Sequence, residues 1–288
     1  MSSKGPARKP VQGKPIPRKP VPRKAVAGTP PWVSPAAVGA GIAIVVAAFL
    51  IYRWYTTPLP PPAPSQDTTA QVITVITTIS PSEFDAVGQG TANNRIRAVS
   101  GTTLTGPSGK PEVFYYGAEY CPFCAAERWP LIIALSRFGT FTGLQTTTSS
   151  STDVNPNTVT FTFRSATYSS QYLDFASVET TDRDQKTLQS PTAAQKDLVN
   201  RYDTGGSIPF VDFANKYAFD GAMYSPDVIS GMSWLAVADS LKQADSTQAK
   251  AILGSANLIT AAICKSTGDQ PSTVCSSTTI QNLEKNLK

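Results

Sequence analysis

The pattern of hydrophobic and polar positions divides the chain into one uncharged apolar run near the N-terminus and a long region of mixed patterns. From Ala36 to Tyr52 the sequence reads AAVGAGIAIVVAAFLIY, without a charge and with aromatic residues on both sides. Because a helix rises about 1.5 Å per residue, the roughly 20 residues after Trp32 can cross a hydrocarbon core of about 30 Å. The pattern predicts a transmembrane helix over residues 32–55.

The segments around this helix predict its orientation. Residues 1–24 contain eight Lys or Arg and no acid, and basic residues collect on the cytoplasmic side of a membrane. We therefore expect a single-pass protein of the cell membrane with a cytoplasmic N-terminus. Repeated Lys-Pro pairs predict a disordered basic tail over residues 1–31, and prolines predict a linker over residues 56–70. A cleaved signal peptide is the alternative, but no A-x-A-like site follows the apolar run.

Strand and helix patterns alternate in residues 71–288, which we predict to form one extracytoplasmic domain. Apolar residues from Val72 to Ile79 alternate in the way typical of a strand, and a short helix should follow and end at Val87. Residues 111–117 are predicted to be a buried strand. Helical spacing follows Cys124, and the predicted helix contains Pro130 and reaches its C-cap at Gly139.

The second half of this domain predicts further strands and helices. Thr, Ser and aromatic residues over 144–183 predict strands and loops, a short helix should cover residues 192–202, and residues 208–219 should form a hairpin-like pair of strands. We expect closing helices over residues 226–243 and 247–264, then a short helix from Thr278. Together these elements predict an α/β fold.

Composition excludes several classes of function. The chain has no histidine, so imidazole bases and histidine metal ligands are absent. Without residues 1–24 and Arg53, the remaining 16 Lys or Arg face 20 Asp or Glu, which argues against a nucleic-acid-binding domain. We predict neither a cofactor nor a metal site.

The most informative motif is Cys121-Pro122-Phe123-Cys124, which follows a predicted buried strand and opens a predicted helix. Thiol:disulfide exchange needs one sulfur that ionises near neutral pH and a second one close enough to resolve a mixed disulfide. The first turn of a helix stabilises a Cys121 thiolate, and Cys124 is the natural resolving thiol. An inert structural pair and half of a zinc site are the alternatives. Zinc would also require Cys264 and Cys275, whose spacing is wrong for a zinc knuckle.

The segment from Val113 to Cys124, VFYYGAEYCPFC, resembles the active-site strand and turn of thioredoxin-fold proteins. More closely, Gly117–Trp129 together with Ala134–Phe141 resembles an uncharacterised family of membrane-anchored thioredoxin-like proteins from archaea and actinobacteria, a domain of unknown function. The resemblance covers most of residues 71–288. It implies a thioredoxin-like fold preceded by one transmembrane helix.

The resemblance also implies roles for particular residues. In thioredoxin-fold proteins an Ile-Pro bond in the cis form, here Ile208-Pro209, faces the CxxC motif and offers its backbone to the substrate; Pro122 and Phe123 would line the same site. Cys121 and Pro209 are 88 residues apart, so an insertion should separate the active-site helix from the cis-Pro strand. Tyr115 stands where thioredoxin has a buried acid, which leaves the proton acceptor for Cys124 unidentified.

Two local features can each be interpreted in two ways. Glu127 and Arg128 could approach the sulfurs, but we expect them on a solvated helix face. Cys264 and Cys275 flank Gly268, which should end the preceding helix. They are predicted to form a structural disulfide, with a relay of electrons to Cys121 as the alternative.

Three functions agree with these residues. The first is an extracytoplasmic thiol:disulfide oxidoreductase, in which Cys121 attacks protein disulfides or receives electrons from a membrane redox partner and Cys124 resolves the mixed disulfide. The second is a non-catalytic cell-surface binding module with a permanent CxxC disulfide. The third is an electron carrier dedicated to one membrane partner. We expect the enzyme, and the uncharged Pro122-Phe123 pair leaves oxidation, reduction and isomerisation open.

Overall fold

The computed structural model describes residues 35–56, 66–203 and 205–287, and the chain divides into two units, residues 1–54 and 55–288. The tail predicted over residues 1–31 and the linker positions 57–65 lie outside the described residues.

Helix α1, Pro35–Thr56, covers residues 35–55 of the predicted membrane segment, and residues 32–34 lie outside the described residues. Its window Val38–Thr56 has a mean hydropathy of 1.7, and the side chains from Val38 to Tyr55 are exposed. Among the residues that the structure describes, α1 is the one helix that is long and apolar enough to span a membrane.

The second unit is a mixed α/β structure. Its helices are α2 (Gln66–Thr77), α3 (Pro81–Val87), α4 (Pro122–Ser136), α5 (Ala193–Tyr202), α6 (Trp234–Ser240), α7 (Thr247–Thr267), α8 (Ser272–Cys275) and α9 (Thr278–Glu284). Its strands are β1 (Arg97–Ala98), β2 (Glu112–Gly117), β3 (Gly139–Thr142), β4 (Gln145–Thr148), β5 (Val159–Thr162), β6 (Thr167–Ser170), β7 (Asp174–Glu179), β8 (Phe210–Phe213) and β9 (Tyr217–Asp220).

A five-stranded sheet in the order β1-β9-β8-β2-β7 forms the centre of this unit. Strand β2 pairs in parallel with β7 and antiparallel with β8, and β8 continues into the β8–β9 hairpin. Because strand β2 has a neighbour on each side, the loop that follows Gly117 leaves the sheet from an inner strand. This loop leads to Cys121, and α4 begins at the next residue, Pro122.

Alternate residues of the strands face two separate hydrophobic clusters. Val113 and Val211 belong to the larger cluster, together with side chains of α4 and α7. Phe114 and Phe210 belong to the smaller one, together with Leu198 of α5. Side chains alternate between the two faces of a strand, so the sheet is covered by helices on both faces.

The insertion between α4 and β7 consists of two separate two-stranded ribbons, β3–β6 and β4–β5. The ribbon β4–β5 packs along α4: Thr160 Oγ1 donates to the Ala125 carbonyl at 2.7 Å, and Trp129 Nε1 donates to the Val159 carbonyl at 2.9 Å. The insertion is thus attached to the helix that carries the cysteines.

Helix α2 corrects the strand interpretation of the alternating residues. Val72 and Ile76 lie four residues apart and are both buried in the larger cluster, as one face of a helix requires. Ile73 and Val75 pack against the same cluster while only partly buried. Because apolar residues occur on more than one side of this helix, their spacing imitates the alternation of a strand.

Two predicted helix boundaries are also wrong. The helix expected over residues 226–243 is a 3-10 turn, Pro226–Ile229, followed by the separate helix α6, because Gly231 between them has φ +70° and Ser233 starts a new N-cap. Helix α4 continues past Pro130 but ends at Ser136, and Gly139 begins β3 instead of capping the helix.

Candidate functional site

Cys121 is the N-cap residue of α4. The backbone turns from an extended conformation at Cys121 into the helix at Pro122, whose fixed φ suits the first helical position. Cys121 Sγ accepts a hydrogen bond from the backbone N–H of Cys124 at 3.3 Å. The sulfur therefore occupies the place that a Ser or Asp oxygen takes in an ordinary helix cap, where the helix dipole favours a negative charge.

The two sulfurs differ in access. Cys121 is 6% exposed and Cys124 is fully buried, and they are not bonded to each other in the structure. Pro122 is buried, whereas Phe123 is 41% exposed. Cys121 and Phe123 are thus accessible from the surface to different degrees, and Cys124 is not.

The Ile208-Pro209 peptide bond is cis and lies next to Cys121. Cys121 Sγ lies 3.8 Å from the Ile208 carbonyl oxygen. The strand β8 begins directly after this bond, at Phe210, which pairs with Tyr116 of β2. Sheet pairing between β2 and β8 therefore brings together two motifs that are distant in sequence.

The environment shifts the pKa values of the two thiols in opposite directions. The pKa of Cys121 is lowered, mainly by a hydrogen bond from the Cys124 side chain and further by the Cys124 N–H and the charge of Arg128. The pKa of Cys124 is raised well above its usual value, mainly by burial. Cys121 is the thiol that ionises first.

Arg128 and Glu179 form a fully buried ion pair behind the cysteines. Arg128 Nε and Nη2 donate to the two carboxylate oxygens of Glu179 at 2.8 and 2.7 Å, and Nη2 also donates to the Ala118 carbonyl at 2.8 Å. Both side chains are 0% exposed. The expected solvated helix face is therefore wrong at Arg128, because a carboxylate from β7, 51 residues away in sequence, compensates its burial.

Glu127 is also buried, but it bonds elsewhere. Its Oε2 accepts the Met223 N–H at 2.8 Å, and burial raises its pKa to about 8. The solvated-face expectation is wrong for this residue as well. Of the two residues, Arg128 is the one whose charge lowers the pKa of Cys121.

Tyr115 packs beside Cys124. A Cβ added to Gly117 would lie 2.3 Å from the Tyr115 hydroxyl oxygen and 3.1 Å from Cys124 Sγ, so both atoms lie against this glycine. The hydroxyl is buried and has no hydrogen-bond partner among the described residues, and the Arg128 guanidinium lies 5.7 Å from the ring centroid. Burial raises the pKa of Tyr115 well above its usual value, so this group stays protonated at neutral pH.

The second cysteine pair forms a disulfide bond. Cys264 near the end of α7 is bonded to Cys275 of α8, and both are buried among apolar side chains such as Ile280 and Leu283. Because this bond occupies both sulfurs, they cannot complete a four-cysteine zinc site with Cys121 and Cys124.

Sequence reasoning missed Glu179 and the loop of residues 149–158. Glu179 ends strand β7 opposite Gly117. The sequence signal for this residue was its position, since it is an acid that directly follows an uncharged run beginning at Phe175. The loop reaches the site through Ser150, whose N–H donates to the Tyr120 carbonyl at 2.8 Å. Its sequence SSSTDVNPNT carried no signal for that contact.

Comparisons with known proteins give a family but no characterised relative. No curated protein and no solved structure matches the chain. A family model described as "Domain of unknown function (DUF929)" matches residues 96–265, which include β2, the CxxC motif, the insertion and the Ile208-Pro209 bond. Since this match spans more than half of the chain, the protein belongs to the DUF929 family.

Proposed function

We propose that the protein is a thiol:disulfide oxidoreductase with a thioredoxin-like domain, acting on protein disulfides or thiols through Cys121 and Cys124. The observation that carries the proposal is the position of Cys121 Sγ, which caps α4 and lies 3.8 Å from the Ile208 carbonyl of a cis Ile-Pro bond. Helix start, cis-proline and central strand occur together in thioredoxin-fold proteins. The parallel β2–β7 pair and the antiparallel β8–β9 hairpin support the same fold.

The chemistry follows from the unequal thiols. The Cys121 thiolate attacks one sulfur of a substrate disulfide, which forms a mixed disulfide and releases the other substrate sulfur as a thiolate that takes up a proton. Cys124 then loses its proton and attacks the Cys121 sulfur. The substrate's second sulfur leaves, a Cys121–Cys124 disulfide forms, and two electrons have moved to the substrate. The reverse sequence oxidises a substrate dithiol.

The setting of this reaction is part of the proposal. Helix α1 would anchor the protein in the cell membrane, with the basic N-terminus in the cytoplasm and the redox domain outside, where disulfides persist. Substrate proteins and a membrane redox partner would meet Cys121 on that side.

Substitution of the two cysteines tests the proposal. In the full-length protein in detergent, wild type should accelerate insulin disulfide reduction above the rate with dithiothreitol alone, and Cys121→Ala should lower this acceleration at least about 100-fold, because the attacking sulfur is lost. Cys124→Ser should instead accumulate a mixed disulfide at Cys121, detectable by mass spectrometry. A wild-type protein that neither exchanges disulfides nor forms such an adduct would be a binding module and not an oxidoreductase.

A further inference from the structure

The loop of residues 149–158, named the rim loop below, forms one side of the site around Cys121. The insertion that contains it leaves α4 at Ser136 and rejoins the sheet at Asp174, which pairs with Glu112 at the start of β2. Both attachment points lie at the end of the domain away from Cys121, since α4 is about 22 Å long. The ribbon β4–β5 therefore returns along α4 to bring the rim loop beside the residue before Cys121.

Hydrogen bonds fix the conformation of the rim loop. Ser149 N–H donates to the Thr158 carbonyl at 2.9 Å, and Thr158 N–H donates to Ser149 Oγ at 2.9 Å. Asn157 N–H donates to the Ser150 carbonyl at 3.0 Å, and the Asn155 side-chain amide donates to Asp227. A loop held at both ends and at its tip presents its outward side chains in fixed positions.

The rim loop exposes Val154, of which 76% is accessible. In the described part of the second unit beyond Tyr55, the large hydrophobic side chains that are exposed are Val154 and Phe123. A single exposed apolar residue needs no explanation. Here both such residues lie in segments next to the reactive sulfur.

A cleft lies beside Phe123, and a chain segment on its wall contacts the rim loop. Phe123 lines a cleft of about 380 Å³ together with Ser225 and Val228. Asp227, which lies between these two residues in sequence, is the partner of Asn155 in the rim loop. The rim loop is thus hydrogen-bonded to the segment that lines the cleft with Phe123.

We propose that Val154 and Phe123 form a docking surface for an extended protein segment whose apolar side chains flank the cysteine that reacts with Cys121. The inference rests on the proposed function and adds the class of substrate. The occupant follows from continuity: a protein segment bonded to Cys121 extends from a sulfur that has Phe123 close by on α4 and the rim loop in contact with Tyr120. The carboxylates of Asp153 and Asp227 border Val154, so an acidic segment is disfavoured.

Two peptide substrates test this surface. Each is a homodimeric disulfide with lysines at its ends; the cysteine is flanked by leucines in one and by serines in the other. The full-length Cys124→Ser protein in detergent attacks either disulfide, retains one peptide on Cys121 and releases the other as a thiol. The second-order rate constant of adduct formation is measured by mass spectrometry.

The leucine peptide should react about fivefold faster than the serine peptide, because its side chains bury apolar area on the surface. Adding Val154→Ser should lower this ratio at least about twofold, and Val154→Ser with Phe123→Ser should bring it close to one. Gln145→Ser is the matched control, since Gln145 is exposed on the same ribbon but at the end opposite the rim loop. It should keep the wild-type ratio.

The outcomes separate the two proposals. Equal rates for both peptides, or a ratio that Val154→Ser leaves unchanged, would overturn the docking surface while leaving the exchange chemistry intact. If neither peptide forms an adduct with Cys121, both the proposed function and the docking surface are overturned. Circular dichroism of each variant verifies that a changed ratio does not come from unfolding.

Discussion

Each of the two cysteine pairs of this protein can form a disulfide bond, but the groups that surround the two pairs differ. Cys264 and Cys275 are bonded and lie among apolar side chains, where neither sulfur meets a substrate. Cys121 caps a helix beside a carbonyl and a buried cation, and it is partly accessible. Under the proposed function, the comparison teaches that the surroundings, and not the presence of two nearby cysteines, separate a structural bond from a reactive one.

The strongest test of this comparison removes the buried cation from the reactive pair. Arg128→Met would leave the Glu179 carboxylate buried without a partner, and removal of one member of such a pair costs about 3–5 kcal/mol. We expect that loss in the free energy of unfolding from urea denaturation. The same variant should raise the pKa of Cys121, measured by the ultraviolet absorbance of its thiolate.

A double variant provides the control for this prediction. Arg128→Met with Glu179→Gln removes both charges and should recover part of the lost stability, yet its Cys121 pKa should stay above that of wild type. If Arg128→Met destabilised the protein by less than about 1 kcal/mol, the ion pair would not have the importance that its burial indicates.

The next largest effect concerns the bonded pair. Replacing Cys264 and Cys275 together by serine should lower the free energy of unfolding by about 2–3 kcal/mol, because the unfolded chain gains the entropy of a short open loop. The rate of disulfide exchange at Cys121 should stay at the wild-type value at a temperature where both proteins are folded. A rate that fell in parallel with the loss of this bond would revive the electron relay.

The smallest predicted effect is a difference in pH dependence between the thiols. Only the thiolate is alkylated, so the rate of alkylation at Cys121 should rise with pH to a plateau. The midpoint of this rise should lie below the pKa of an ordinary cysteine, because the folded protein lowers the pKa of Cys121. Cys124 should react at least about tenfold more slowly at neutral pH, since burial raises its pKa and blocks access. Iodoacetamide labelling with peptide mapping measures both rates.

The unfolded protein is the reference for this experiment. In denaturant both cysteines should react alike and with the midpoint of an ordinary thiol, about 8.5. Equal labelling of Cys121 and Cys124 in the folded protein would contradict the assignment of Cys121 as the attacking sulfur.

The sequence alone predicted the α/β class, α4 after the CxxC motif and the β8–β9 hairpin, because each depends on a local pattern. It misassigned α2, whose apolar residues satisfy two periods at once. It also divided the region after Tyr224 incorrectly, since the positive φ of Gly231 ends one turn before another helix begins.

For the candidate site, the sequence pointed to Cys121, Cys124 and Pro209, which the structure brings together, but not to the residues that surround them. Cys121 and Pro209 belong to motifs with local signatures. The burial of Arg128 depends on Glu179 in a distant strand, and the contact of Ser150 with Tyr120 depends on the path of an entire ribbon. Such contacts arise from tertiary packing and leave no periodic trace in the chain.

The path of the insertion has a consequence for how such proteins diversify. The segment between Ser136 and Asp174 is attached far from the cysteines, yet its loop reaches their rim. Under the proposed function, a change in the length or sequence of residues 149–158 would alter which proteins dock beside Cys121 and leave α4 and its cysteines as they are. Exchange of this loop between family members would then retarget the domain without a substitution in α4.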